Sequence, residues 1–321
     1  MRSKLLATAA VAATLVATLS ACGQQTTGTT AGTGQDSDGD VPTIGLVMKS
    51  LGNPYFQDMQ AGAEEYAEGN DEFVLKAVGI QSETDVTGQV EAVNNLVAQG
   101  VDAIVIAPAD SRALVAPLKQ AADQGIEIIN IDVKLDDSAL ADADIEVPFV
   151  GPDNVEGART VGEVLADELG AGGKVVILEG VQGAANAEQR KEGFEAAIDE
   201  GGLDLVASAT ANWETEQANT VFTNILSANP DIQGVMAAND SMALGVLAAL
   251  ESAGKKGEIK VVGFDNIPEI EPYLQDGSLL ATLDQFGSQQ AVFGIDAALA
   301  LLNGDTVAEW EKTNIELITG P

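Results

Sequence analysis

Ala238-Asn239-Asp240-Ser241-Met242-Ala243-Leu244-Gly245 is the stretch that decides how this chain folds. It follows Gly234-Val235-Met236-Ala237, an apolar run with the length of a buried strand. It leads into Leu244, Val246, Leu247 and Leu250, spaced for one face of a helix. A strand passing into a helix through a polar turn is one βα unit of a parallel sheet. Asn239 carries donors and an acceptor, and Asp240 or Ser241 can cap the helix that follows. Open α/β sheets bind ligands at the carboxyl ends of their strands. The turn therefore reads both as a capped connection and as a ligand contact.

The same unit recurs on either side. Upstream, strands are predicted at 44–48, 73–78, 103–106 and 126–131. The first intervening helix carries Met59, Ala63 and Tyr66 on its apolar face, the second Val86, Val90, Val93, Leu96 and Val97, and Pro108-Ala109-Asp110-Ser111 opens a third. Residues 133–148, with Asp136, Asp137, Asp142, Asp144 and Glu146, read as a solvated acidic loop with an outer strand as the alternative. At Phe149-Val150-Gly151-Pro152-Asp153-Asn154 the pattern restarts. Strands at 174–178, 203–207, 234–237, 260–265 and 280–285 alternate with helices at 155–169, 188–200 and 215–226 and the helix of the opening stretch; a helix at 289–302 and a last apolar run at 315–318 complete the chain.

Continuous apolar strands flanked by amphipathic helices are what a parallel sheet covered on both faces requires. The handedness of βαβ crossovers makes a doubly wound sheet the economical topology. A chain of 321 residues accommodates two such cores. The predicted fold class is α/β, two doubly wound parallel-sheet lobes, with Asn53, Asp132, Asn239, Asp265 and Gln285 at strand ends beside a cleft between them.

Fifty acidic residues stand against 15 basic ones and no His, a formal charge of −35. Phosphate recognition needs clusters of Lys and Arg, so nucleic acid and anionic lipid surfaces are excluded as partners. Without His the commonest general base and metal ligand are missing. No phosphate loop, nucleophile elbow or dinucleotide fingerprint follows any strand. A calcium loop beginning at Asp36 fails, because Val41 and Val47 stand where Gly and Glu are required. No metal or cofactor is expected. What remains for an enzyme is a carboxylate pair, which so acidic a chain produces by chance, or a Ser-Lys arrangement, and the chain is read as a binding protein.

At the N-terminus Arg2 and Lys4 precede an uncharged run over 5–19, the pattern of a secretory signal. Leu19-Ser20-Ala21-Cys22-Gly23 resembles the lipobox of bacterial lipoproteins, and Cys22 is the only cysteine. Residues 1–22 are predicted to be a lipoprotein signal peptide, Cys22 the acylated anchor on the extracytoplasmic face of the membrane, and residues 23–41 a flexible tether rich in Thr, Gly, Gln and Ser. The polar strand ends suit a neutral polyhydroxylated ligand. Asp and Asn exchange hydrogen bonds with hydroxyls, while Tyr55, Phe56, Trp213 and Phe264 can stack on the C–H faces of a sugar.

Asn53-Pro54-Tyr55-Phe56, Ile129-Asn130-Ile131-Asp132, the opening stretch, Val261-Val262-Gly263-Phe264-Asp265 and Ala281-Thr282-Leu283-Asp284-Gln285, in this order and spacing, resemble the type I periplasmic sugar-binding proteins of ABC transporters, the ribose-binding group in particular. The resemblance covers residue 42 to about 318. It implies an N-terminal lobe of 42–151 plus 286–312 and a C-terminal lobe of 152–285 plus 313–321. A three-stranded hinge would cross near Gly151-Pro152, near Asp284-Gln285 and over 312–314, and the lobes would close on one sugar.

Carried over position by position, the resemblance implies ligand contacts from Asn53, Tyr55, Phe56, Asp132, Trp213, Asn239, Asp265 and Gln285. The aromatic rings would sandwich the sugar, Asp132 and Asp265 would accept from hydroxyls, and Asn239 and Gln285 would fix its orientation. Three positions depart from the ribose-binding pattern. Val133 followed by Lys134 replaces an Arg, Ala107 replaces a cleft Asn, and Glu188 stands where a second Arg is expected, with Arg190 two residues on. Glu188 and Arg190 are both candidate contacts, and the expected ligand moves from ribose toward a differently substituted pentose, a hexose or a polyol. The implied partners are that monosaccharide or polyol, an ABC permease and, through the lipid anchor, the membrane; the protein is expected to be an exported monomer. A sugar or small-signal sensor working with a membrane receptor is the alternative function, and a carboxylate-based carbohydrate-active enzyme the remote one.

Overall fold

A computed structural model describes residues 41–321. The expected signal peptide, Cys22 and all of the expected tether but Val41 lie outside the described residues. The first half of the chain runs β1 (Thr43–Ser50), α1 (Pro54–Glu68), β2 (Val74–Ile80), α2 (Val86–Ala98), β3 (Ala103–Ile106), α3 (Val115–Ala122), β4 (Glu127–Ile131), α4 (Asp137–Asp142) and β5 (Phe149–Gly151). The second runs α5 (Asn154–Leu169), β6 (Lys174–Glu179), α6 (Ala185–Gly201), β7 (Asp204–Thr210), α7 (Thr215–Ala228), β8 (Gly234–Ala237), α8 (Asp240–Ser252), β9 (Lys260–Val262), α9 (Glu271–Gln275) and β10 (Ala281–Asp284). The tail adds α10 (Gly287–Leu302), β11 (Trp310–Lys312) and β12 (Glu316–Thr319).

These strands make two six-stranded sheets, ordered β11-β5-β4-β3-β1-β2 and β12-β10-β9-β8-β6-β7. Every pairing is parallel except that of β10 with β12. The alternating pattern thus produces two α/β lobes with parallel sheets. The chain passes from one sheet to the other three times: after β5, after β10, and between β11 and β12. At the second passage α10 leaves β10 and packs against α1 and against β3, β4 and β5 of the first sheet.

Side-chain alternation explains the layering of the first sheet. Ile44, Leu46 and Met48 of β1 join a core with Met59 of α1 and Ile295 of α10, while Val47 joins a second core with Leu96 of α2 and Leu118 of α3. In the second lobe α5 packs on α6 and α7 on α8 at a spacing that only glycine permits. A Cβ on Gly193 of α6 would lie 2.4 Å from the carbonyl oxygen of Val155, and one on Gly245 of α8 would lie 2.2 Å from that of Thr215.

Local boundaries differ from expectation in ways that matter for the site. Residues 133–148 contain no strand; they include α4, capped by Asp136, whose side chain accepts from the Ala139 amide, and the strand that follows, β5, lies between β4 and β11. Asp110 organises a turn, its Oδ1 accepting from the amides of Arg112 and Ala113, and the third helix starts at Val115. The helix expected from residue 188 begins at Ala185. The exposed strand Trp310-Glu311-Lys312 has no apolar run to announce it.

Gly193→Ala and Gly245→Ala should each lower stability by about 1–3 kcal/mol, because overpacking forces helices apart. Urea midpoints at an unchanged m-value would show this, and a midpoint equal to that of the parent would contradict the close helix contact.

Candidate functional site

All strands of a parallel array end on the same edge, and here the carboxyl edges of both sheets border one cavity. It is lined by Lys49, Asn53, Tyr55, Phe56, Glu83, Asp132, Asn186, Arg190, Trp213, Asn239, Asp265 and Gln285. Lys49 is at the end of β1, Asp132 directly follows β4, Gln285 directly follows β10, and Trp213, Asn239 and Asp265 stand within three residues of the ends of β7, β8 and β9. The lobes are closed over the cavity. The Ser111 amide donates to the Gly183 carbonyl (3.0 Å), the Ala185 amide to Ser111 Oγ (2.9 Å), and Ser241 Oγ to Asn53 Oδ1 (3.3 Å).

The backbone is strained at this place. Asp132 (φ 63°), Trp213 (φ 66°) and Asp265 (φ 118°) are left-handed although none is glycine. Such residues cost roughly 1–3 kcal/mol each and persist where their surroundings over-determine them. Trp213 is also fixed from below, because a Cβ on Gly180 would lie 2.0 Å from its Cζ2.

Nine of the ten expected contacts come together. The tenth, Glu188, is exposed on α6. Asn186 and Arg190, four residues apart on α6, share the inward face and Glu188 points away from it. Arg190 is 2 % exposed and held from several sides. Its Nε donates to Asn154 Oδ1 (2.9 Å), and its Nη1 to the Ala238 carbonyl (2.8 Å) and to Asp265 Oδ1 (3.3 Å). The guanidinium carbon is 3.7 Å from the centroid of the Phe264 ring. Phe264, expected to stack on a ligand, therefore lies outside the lining and supports Arg190 instead. Lys134 is likewise outside, paired with Asp137, and Val133 and Ala107 are buried core residues.

Asn239 does two things. It caps α8, its Oδ1 accepting from the Met242 amide (2.9 Å), and it lines the cavity. Asp240, expected as the cap, is instead wholly buried. Its carboxylate accepts from Thr282 Oγ1 (2.8 Å) and from the Ile267 amide (3.1 Å), which secures the loop that follows Asp265. Burial pushes the Asp240 carboxyl well above the ordinary carboxylate range.

Sequence reasoning missed Lys49, Glu83 and Asn186. Lys49 Nζ is 3.1 Å from Glu83 Oε2, both side chains being about 2 % exposed or less, and it lies 5.3 Å from the Phe56 ring and 5.5 Å from the Trp213 ring. Asn53 Nδ2 donates to Glu83 Oε1 (3.0 Å). All three lie beyond or at strand ends: Lys49 is the penultimate residue of β1, Glu83 lies three residues past β2, and Asn186 is in the first turn of α6, the helix after β6.

Two cations and three carboxylates thus share a small buried volume. Gln285 Nε2 donates to Asp265 Oδ1 (2.7 Å), yet burial raises the Asp265 pKa from 3.8 to about 7 against the opposing pull of Arg190. Burial also raises Asp132, against Lys49 and Arg190. Three buried atoms of the lining make neither a hydrogen bond nor an ion pair, Asp132 Oδ2, Asn186 Oδ1 and Trp213 Nε1, while Glu83 Oε2 is met by Lys49 Nζ. Among the described residues no cluster of His, Cys, Asp and Glu is arranged to hold a metal ion.

Residues 44–306 match a family described as periplasmic binding protein domain. The D-ribose/D-allose-binding protein of Pseudomonas aeruginosa is 50% identical over 87% of this chain and 89% of its own. A solved ABC transporter solute-binding protein from Burkholderia multivorans superposes with TM-score 0.85 at 45% identity, covering 87% of this chain and all of the other. One from Actinobacillus succinogenes, with bound D-allose, gives TM-score 0.82 at 40% identity over 87% and 97% of the two chains.

Because folded Asp265 binds a proton more readily than the unfolded chain does, its contribution to stability is largest at low pH and is lost as pH rises from about 4 through about 7. Asp265→Asn should make the fall in stability across that interval shallower. Urea unfolding at a series of pH values measures it, and an unchanged slope would place the titration elsewhere.

Proposed function

The chain belongs to the periplasmic binding protein family, and from that premise we propose that it is a sugar-binding protein of an ABC transporter, closing on one monosaccharide of the D-allose or D-ribose kind. The observation that carries this is the set of unpaired polar atoms in the cavity. Two acceptors, Asp132 Oδ2 and Asn186 Oδ1, stand with one donor, Trp213 Nε1. A buried acceptor without a partner costs about 1–3 kcal/mol, so the matching ligand is rich in hydroxyl donors. Phe56 and Trp213 supply apolar faces for its C–H groups. Arg190 supplies a guanidinium whose Nη2 is free of the bonds that hold it, and Lys49 supplies an ammonium. The cavity therefore keeps one of the two guanidinium groups that Val133 and Glu188 were expected to have removed, and with it the reason to set ribose aside weakens.

Asn53, Tyr55, Phe56, Asp132, Arg190, Trp213, Asn239, Asp265 and Gln285, joined by Lys49, Glu83 and Asn186, are the proposed contacts; Glu188 is not. The two lobes, 42–151 plus 286–312 and 152–285 plus 313–321, would move about the three passages between the sheets, and ligand contacts on both sides would favour the closed form. A permease that reads this closed form receives the sugar. Export and acylation at Cys22 would hold the protein on the extracytoplasmic face of the membrane.

A sugar present at 100 times its Kd adds ~2.7 kcal/mol to stability. In a thermal-shift screen D-allose and D-ribose should raise the melting temperature, and Asp132→Ala should remove most of that rise. If no monosaccharide or polyol shifts the transition, the ligand class is wrong. In cells, Cys22→Ala should move the protein from the membrane fraction to the soluble fraction. Continued retention would contradict the lipid anchor.

A further inference from the structure

Gln290 lies outside the cavity lining but reaches it through one side chain. It is fully buried in the first turn of α10, just past the passage from β10. Its Nε2 donates to the Gln285 carbonyl (2.8 Å) and to the Tyr55 hydroxyl oxygen (3.1 Å), and approaches Gln285 Oε1 at 3.5 Å. A backbone carbonyl only accepts, so the group facing Gln285 is the amide NH2, and the same NH2 donates to Tyr55. The Tyr55 oxygen has then accepted, and its single hydrogen is directed to Asp132 Oδ1 at 3.4 Å. Burial and the neighbouring Asp132 and Asp265 carboxylates keep the Tyr55 phenol protonated far past neutral pH. Donation therefore runs one way, from Gln290 to Tyr55 to Asp132, and Asp132 Oδ2 is left without a hydrogen-bond partner.

We propose that Gln290 is a positioning residue of the binding site: through Tyr55 it engages one oxygen of Asp132, presents the other to the ligand, and ties that arrangement to the hinge passage at Gln285. The Tyr55 ring is half of the device, since its edge-on packing against Phe56, with centroids 5.1 Å apart, keeps the hydroxyl aimed at Asp132. The charged groups around Asp132 are Lys49, Arg190, Glu83 and Asp265, and none of them shares a hydrogen bond with Gln290.

Gln290→Met keeps the length of the side chain and removes both donors; Gln290→Leu is the substitute if that variant does not fold. Two measurements decide. In ligand-free protein, the carboxyl carbon of Asp132, assigned with Asp132→Asn, is titrated by NMR. Gln290→Met and Tyr55→Phe should each raise its midpoint, because the Tyr55 bond favours the ionised form, and the double variant should raise it no further than Tyr55→Phe alone. By calorimetry with D-allose, which rests on the sugar reading, Gln290→Met should weaken binding about three- to tenfold in the parent and less than twofold in the Tyr55→Phe background. An Asp132 midpoint unmoved by Gln290→Met, or an equal loss of affinity in both backgrounds, would overturn the proposal and leave Gln290 a merely structural residue. If the parent binds no sugar, the sugar reading falls, and the NMR titration alone judges Gln290.

Discussion

A parallel sheet delivers the carboxyl end of every strand to one edge, and the molecule depends on two such edges bordering the same space. The strand ends carry free carbonyls and lead into helix starts with free amides, so polar side chains are wanted there for local reasons. Asn53 caps α1 through the Tyr55 amide, and Asn239 caps α8. Once the edges face each other, the residues chosen for capping and turning become the walls of a cavity. The closing hydrogen bonds at Ser111, Gly183 and Ala185 are possible only because these loops meet.

The second constraint is electrostatic. Lys49, Arg190, Glu83, Asp132 and Asp265 are withdrawn from water together, and burying one of them alone would be far more costly than burying the set. Arg190 shows how the set is held. Asn154, at the first passage between sheets, fixes its Nε; Ala238 and Asp265 fix Nη1; and the Phe264 ring lies against its plane. Gln285, at the second passage, holds Asp265. Residues of the passages therefore grip the charged lining directly, which ties the arrangement of the charges to the crossings between the sheets.

Much of this was legible. Continuous apolar runs separated by amphipathic segments identify parallel strands, because a strand covered on both faces has no reason to alternate. The strand-end motifs around Asn53, Asp132, Asn239, Asp265 and Gln285 locate the cavity for the same topological reason. What was not legible turns on small offsets and on long-range partners. The resemblance matched position 188 to an expected Arg, whereas α6 turns Asn186 and Arg190, four residues apart, to the cavity and leaves Glu188 exposed. Lys49 is hidden at the end of an apolar run because its partner, Glu83, is 34 residues away in sequence. Asp240 looks like a cap to any local rule. Its actual partners, Thr282 and the Ile267 amide, lie in segments that only the folded sheet brings near.

The absence of a side chain at Gly180 governs the Trp213 ring above it. The indole occupies the position a methyl group would take, between the glycine backbone and the cavity. A large flat side chain held in this way has little rotational freedom left to surrender when a solute arrives, whereas an ordinary interface side chain gives up about 0.5–1.5 kcal/mol in being immobilised. That entropy has already been lost during folding. The Trp213 surface is thus available to a passing molecule as rigid geometry, and selectivity at that wall is a matter of shape matching against a fixed plane.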